Sequence, residues 1–541
     1  MRETMRYSHL SRLLLSTLVI SVCAALPALL WSPDGRVLPR RADLHMYLVM
    51  LDRFADGDRS NNDANGLSDA RDPLAVQGGD LRGLAARLPY LRALGVNAIW
   101  LTPVQENVPG AFHGYWIQHF KRVDPRLGSM QDLRRVIREA HAHGVRVYLD
   151  VVCNHTGPLI GTAEGGHEWN ADGYTLEWND PSRLPTPEVL QDLSLYHPYG
   201  EVLKWEPPYQ VLGELPGGLD DLRTEDPRVL AIMIDIWSWW MEQTDCDGFR
   251  VDTVKHVDMP FWYAWLQAMR RHAQALGRRD FFIFGEVFSA EDSICAPYTR
   301  SSTDGRRGFD AVFNFSLAEG LRDALGRDGS LRLLRASLVN RPLYDSTALP
   351  FMLNFVDNHD VDRFLALPRA DSTRLLQALT FMYGMQGIPL LYYGTEQAFP
   401  GGTGHDWKNR ESMFAGGWKG DAPPGDSYDT TGTVFRHITA LQRLRQEYPL
   451  LRQGDARLHR ADTARSLLVV ERILGKQRAY VMINSGSLPL DVRLQVDQDL
   501  RPWPDASTLR DGPLLHIILP PASVRLLLPE NPRPAFREAG I

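Results

Sequence analysis

The chain has 541 residues, 44% of them hydrophobic and 23% charged, with a formal net charge of −7. That length suits one large domain with one or two smaller ones, and the composition is that of a globular protein without low-complexity tracts. The acidic balance excludes nucleic acid as the main partner, because phosphate binding needs a basic face.

In chain order, Arg2, Arg6 and Arg12 precede an uncharged apolar stretch, Leu13 to Trp31, with small residues around Val22-Cys23-Ala24-Ala25. This predicts a signal peptide over residues 1–30 and a secreted or periplasmic protein. The alternative is an uncleaved anchor that tethers the chain to a membrane. Beyond it remain Cys153, Cys246 and Cys295. An odd number in a large domain predicts free buried thiols.

From about residue 43 to 400, short β-rich runs alternate with helical patterns, which predicts βα units around a parallel sheet. Candidate strands are Met46–Leu51, Ala98–Leu101, Val145–Val151, Gly248–Val251, Phe281–Gly285, Ala311–Phe313, Met352–Phe355 and Leu390–Tyr393. Eight such runs predict an α/β fold, a closed (β/α)8 TIM barrel over residues 43–154 and 223–434. The intervening stretch 155–222, rich in Gly, Pro, Asp and Trp, is too long for a loop and predicts an inserted subdomain after the third strand. From 435 to 530 short alternating runs predict a C-terminal antiparallel β-domain.

The polar residues that end these strands carry the chemistry. Asp150 lies in LDVVCNH, Arg250 and Asp252 in GFRVDTVKH, Glu286 in FIFGEVF and Asp360 in FVDNHD. Barrel strands converge on one mouth at their C-terminal ends, so Asp252, Glu286 and Asp360 are expected around one pocket. Crowded carboxylates raise at least one pKa, leaving a protonated acid beside ionised partners. Glycoside cleavage needs that division: one carboxylate attacks the anomeric carbon while another protonates the leaving oxygen. Fourteen Trp and eighteen Tyr suit a sugar binder, since flat rings cover pyranose faces, but they serve a core equally well.

Those four motifs, in that order, resemble the α-amylase family of glycoside hydrolases from about Leu44 to Tyr448. The resemblance implies Asp252 as nucleophile, Glu286 as general acid/base and Asp360 as the group that stabilises the distorted sugar, with Arg250 holding Asp252 ionised. His155 and His359 would bind sugar hydroxyls. In AFHGYWIQHF, Tyr115 (beside Trp116) would stack on the sugar being cleaved and His113 would bind a hydroxyl. Asp406 and Arg410, in HDWKNR, would face the non-reducing side, and Lys255 with His256 the reducing side.

The resemblance also implies calcium (Ca2+), an ion that takes oxygen ligands, from Asn154, Asp221 and the carbonyl of His256. Asp56, Asp58, Asn61, Asn62, Asp80 and the carbonyl of Gly79 resemble a second calcium loop, and read equally as a solvated turn. Cyclising members carry Tyr or Phe four residues before Asp221, where this chain has Gly217. The expected activity is therefore endo-hydrolysis of α-1,4-glucosidic bonds in starch, glycogen or maltooligosaccharides by a monomeric enzyme. The alternatives are an α-glucan transglycosylase (cyclodextrin glucanotransferase or 4-α-glucanotransferase type) and a non-catalytic amylase-like binding subunit.

Overall fold

The computed structural model describes residues 38–64 and 67–530; the expected signal segment lies outside them. Eight short parallel strands form the centre: β1 (Met46–Val49), β2 (Ala98–Leu101), β3 (Arg146–Val151), β4 (Gly248–Val251), β5 (Phe282–Gly285), β6 (Ala311–Val312), β7 (Leu353–Asn354) and β8 (Ile388–Tyr392). Their order in the sheet is β6-β5-β4-β3-β2-β1-β8-β7. A parallel bridge between Phe313 and Leu353 joins β6 to β7 and closes the ring. The strands are buried throughout because helices cover their outer faces, which explains their continuous rather than alternating hydrophobicity. The fold is a TIM barrel, as the eight runs predict.

The helices between the strands have recognisable starts. Met130–Ala142 opens with a capping box, in which Ser129 accepts from the Asp132 amide and Asp132 accepts from that of Ser129. Pro227–Gln243 begins with Asp226 as N-cap and Pro at the first position. At the N-terminal end of the barrel, Pro39 O accepts from Arg146 Nε (2.8 Å), and Arg41 pairs with Asp280 (2.6 Å) and Asp310 (3.4 Å). These partners lie at the starts of β3, β5 and β6, so the described chain begins at the face opposite the strand C-termini.

The stretch 155–222 is a loop-built subdomain with one small hairpin, Ile160–Thr162 against Leu176–Trp178. The isolated bridge His155–Asp221 fastens its two ends to each other, and Tyr196–Leu222 ties its interior to the C-terminal end.

The boundary expected at 435 falls elsewhere. Residues Thr433–Glu447 form an α-helix that buries Val434, Phe435, Ile438, Leu441 and Leu444, and a short helix, Pro449–Gln453, follows. The first strand after them begins at Asp455. The C-terminal unit is a five-stranded antiparallel sheet facing a three-stranded one. In the larger sheet successive side chains part company, as strand geometry requires. Leu467, Val469, Tyr480 and Met482 pack toward the smaller sheet, while Leu468, Val470, Val481 and Ile483 join the barrel core. Two buried arginines weld the junction. Arg445 donates to the carbonyls of Tyr383, Met385, Gly387 and Leu451, and Arg472 to those of Leu450, Leu451 and Gly454. Each covers carbonyls left open at a helix C-terminus. Among the described residues no helix is long and apolar enough to cross a membrane.

Candidate active site

Strand register assembles the site. β3 and β4 pair with Asp150 opposite Arg250, and β4 and β5 with Val251 opposite Gly285. The backbone continues this pattern one residue further: Asp252 N donates to Val151 O (2.9 Å) and Glu286 N to Val251 O (2.8 Å). The three acids from β3, β4 and β5 therefore surround the fully buried Arg250. Its Nη1 donates to Asp252 Oδ1 (2.7 Å) and to both oxygens of Asp150 (2.8 and 3.0 Å), while Nη2 pairs with Glu286 Oε2 at 2.7 Å. Asp360 comes from the loop after β7, where Asn358 Oδ1 accepts from the amides of Asp360 and Val361 and holds a tight turn.

A single guanidinium cannot neutralise three carboxylates. Burial, opposed by Arg250, pushes Asp252 up to about 7 and Glu286 up to about 8; Asp150 rises to about 6 for the same reasons. Asp360 is raised too, by desolvation from the walls of the cleft with Arg410 opposing, although its side chain is a third open to solvent. The cluster titrates as a unit and retains a proton near neutral pH, with Arg250 holding both Asp252 and Glu286 at 2.7 Å. Thr253, directly after Asp252, has φ of +47°. A β-branched residue in the left-handed region is strained by roughly 1–3 kcal/mol, and such strain gathers at functional sites. Here it turns the Thr253 amide toward Glu286 Oε2 (3.4 Å).

The remaining expected residues line the same cavity of about 820 Å³. The Tyr115 hydroxyl donates to Asp150 Oδ2 and lies 2.9 Å from His359 Nε2. The Tyr115 ring lies nearly parallel to those of His359 (centroids 5.5 Å apart) and His113 (5.9 Å), with Trp116 edge-on to His113. Burial holds His113 and His359 well below the ordinary histidine range and His155 down at about 3, so all three are neutral. Arg410 reaches Asp360 (3.3 Å) and Asp406 (2.5 Å). Lys255 and His256 lie on the turn after β4 and line the same cavity.

Sequence reasoning passed over four side chains that line the cavity or serve it. Trp205, 57% exposed, and Phe288, 43% exposed, flank Lys255, with its Nζ 5.7 and 6.0 Å from the two ring centroids. Trp407 lines the Asp406 side. Trp100 Nε1 donates to Asp150 (2.9 Å). Phe288 could have been found from its place two residues after Glu286. An aromatic in a Pro-rich loop, such as Trp205, gives no such signal.

The residues expected to bind calcium lie in two separate regions. Asn154 Nδ2 donates to Asp221 Oδ1 (3.0 Å), while Asn154 Oδ1 is buried without a partner. The other Asp221 oxygen lies 2.6 Å from His197 Nδ1, a residue that sequence reasoning did not include. His256 is placed by its ring, through the carbonyl of Gln210 (2.8 Å). In the second loop Asp56 Oδ1, Asn61 Oδ1 and Asn62 Oδ1 are all buried and unpartnered. By contrast, Asp80 accepts from the amides of Gly57, Asp58 and Gly83, and Asp58 from Ser60. The Gly79 amide donates to Asp52 O (2.9 Å). At the neighbouring Gly78, φ is +102° and a Cβ would sit 2.2 Å from Asn62, so glycine is required there.

A (β/α)8 barrel with an arginine-bridged carboxylate pair and a third acid at its C-terminal mouth defines a class, the barrels with a two-carboxylate glycosidase centre. Comparison with known proteins names the family. The alpha-amylase catalytic domain matches residues 48–421, and the chain belongs to the α-amylase family. The α-amylase of Streptomyces lividans is 35% identical over 450 residues, 71% of this chain and 48% of that protein. The cyclomaltodextrin glucanotransferase of Klebsiella oxytoca is 30% identical over 487 residues, 82% of this chain and 70% of that one. Among solved structures, an α-amylase from Geobacillus thermoleovorans complexed with acarbose superposes with a TM-score of 0.73 at 30% identity, covering 92% of this chain and 100% of that one. The chain spans about half the length of the Streptomyces relative.

Proposed function

We propose that the protein hydrolyses internal α-1,4-glucosidic bonds of starch, glycogen or maltooligosaccharides with retention of configuration. The observation that carries this reading is Arg250 bridging Asp252 and Glu286. One guanidinium between two carboxylates keeps them a few ångströms apart, on the scale of the roughly 5–5.5 Å of retaining enzymes. Asp252 attacks the anomeric carbon as Glu286 gives its proton to the departing glycosidic oxygen, and a glycosyl ester on Asp252 results. Glu286, now ionised, takes a proton from water, which attacks the same carbon and releases Asp252. Asp360 and the stacked Tyr115 ring favour the flattened, positively charged sugar at both transition states.

Calcium suits both oxygen-rich regions. Rotating the Asn154 amide would offer Oδ1 beside Asp221, and the unpartnered oxygens of Asp56, Asn61 and Asn62 form a second donor set. A bound ion would supply charge that fastens the inserted subdomain and the first loop to the barrel, away from the reacting atoms.

A second reading, glycosyl transfer, draws on Trp205 and Phe288. Two exposed rings flanking Lys255 offer a platform on which an incoming sugar can bind once the leaving chain has departed, so that its hydroxyl replaces water. Against it stands Gly217, whose Cβ position meets only Trp116, at 3.9 Å, where an aromatic would guide cyclisation. Chromatography of early products from soluble starch tests the choice. Linear maltooligosaccharides with fast loss of iodine colour support hydrolysis, whereas cyclic products or chains lengthened from maltotriose would overturn it.

A further inference from the structure

Behind the cavity wall, and in contact with neither the cavity nor solvent, lies a buried ion pair. Arg363 Nε donates to Glu411 Oε2 at 2.7 Å, and both side chains are fully buried. The pair joins the two loops that carry Asp360 and Arg410. Arg363 stands three residues after Asp360 in the loop following β7, and Glu411 directly follows Arg410 in the loop following β8.

Each partner is further fixed. Arg363 Nη1 donates to Tyr393 O (2.9 Å) at the end of β8, and its guanidinium lies over the rings of Tyr392 (4.5 Å) and Phe399 (5.1 Å). The second oxygen of Glu411 accepts from Gly401 N (2.8 Å). Between them Asn409 Oδ1 accepts from the amides of Arg363 and Gly402, both at 3.2 Å. No room is left at this crossing: a Cβ on Gly401 would come within 2.7 Å of Asn409 Oδ1 and 2.8 Å of Arg363.

We infer that Arg363 and Glu411 are positioning residues that set the alignment of Asp360 with Arg410. The front contacts of these two loops are loose by comparison. Arg410 Nη2 meets Asp360 Oδ1 at 3.3 Å, and Arg410 Nε donates to His359 O at 3.1 Å. Asp360 is also 33% exposed, unlike Arg363 and Glu411 behind it. A carboxylate that must meet charge developing on a sugar ring needs a fixed location before the reaction begins. Side chains at a cavity rim do not supply that rigidity by themselves; a locked layer behind them does. A buried ion pair is a poor device for stability alone, since apolar residues of similar size often serve as well. Its directional hydrogen bonds, by contrast, fix two loops in one register. The inference rests on the reading that Asp360 acts on a glycosyl transition state.

The test compares wild type with Arg363→Met/Glu411→Leu and with Glu411→Gln, measuring kcat and KM on maltoheptaose and the melting temperature of each. The expected result is that the double apolar variant melts near the wild-type temperature yet loses at least tenfold in kcat with KM changed less than threefold. Glu411→Gln keeps the shape and the Gly401 contact, and is expected to lose severalfold in kcat. Either variant, folded and turning over within twofold of wild type, overturns the positioning role. A kcat loss that only accompanies a collapse of melting temperature in both variants overturns it as well, since the pair would then be a stability element. Wild-type turnover in the same assay keeps the functional reading separate: an inactive wild type refutes that reading instead.

Discussion

Glu286→Gln replaces a carboxyl that burial holds protonated with a neutral isostere, so it should stabilise the protein while abolishing turnover. Burial raises Glu286 from an ordinary 4.5 to about 8. As pH rises past 4.5 the unfolded chain releases this proton while the folded protein keeps it. Stability is therefore lost progressively from about 4.5 up to about 8, at roughly 1.4 kcal/mol per pH unit. At pH 7 the cost approaches about 3 kcal/mol, a ceiling because Asp252 and Arg250 share the titration. The variant escapes this cost. Its melting temperature should match wild type at pH 4.5 and exceed it by several degrees at pH 8, read by differential scanning calorimetry in matched buffers. Equal melting temperatures at both pH values, or an equal offset at both, would refute the claim that burial keeps Glu286 neutral.

Asp252→Asn should reduce turnover of soluble starch by at least a thousandfold while leaving the circular dichroism spectrum unchanged; substantial residual hydrolysis would remove Asp252 from the nucleophile role. Proton NMR of wild-type products should show the α-anomer first, since double displacement retains configuration. Chelation should lower the melting temperature, because an ion bound only by the folded state stabilises it. The shift should shrink in Asn61→Ala/Asn62→Ala if the second loop holds one of the ions. Trp205→Ala should raise KM for maltooligosaccharides severalfold, a loss on the order of 1 kcal/mol, and lower the yield of any transfer products. Unchanged values would show that its exposed ring does not touch the glucan.

The barrel was legible because each strand is a short apolar run ended by a polar residue, and strand ends in such a fold share one mouth. Asp252, Glu286 and Asp360 could thus be grouped without coordinates. The helix Thr433–Glu447 was misassigned to the β-domain, although Val434, Phe435, Ile438 and Leu441 have helical spacing, because the pattern merges into the apolar run of Pro449–Leu451. The subdomain 155–222 resisted reading for a physical reason. Its form depends on bridges such as His155–Asp221 and on His197 facing Asp221, contacts between residues far apart in sequence that leave no periodic trace. The gathering of Trp100 and Asp150 around Arg250 is equally a matter of register between neighbouring strands, and Tyr115 joins them from the loop after β2.

The fastening of Pro39 and Arg41 to Arg146, Asp280 and Asp310 decides in which direction the enzyme can be mounted. Those partners lie at the barrel floor, the full height of the strands away from Asp252 and Glu286. Residue 38, where the described chain starts, therefore sits beneath the molecule, on the face turned away from the reacting carboxylates.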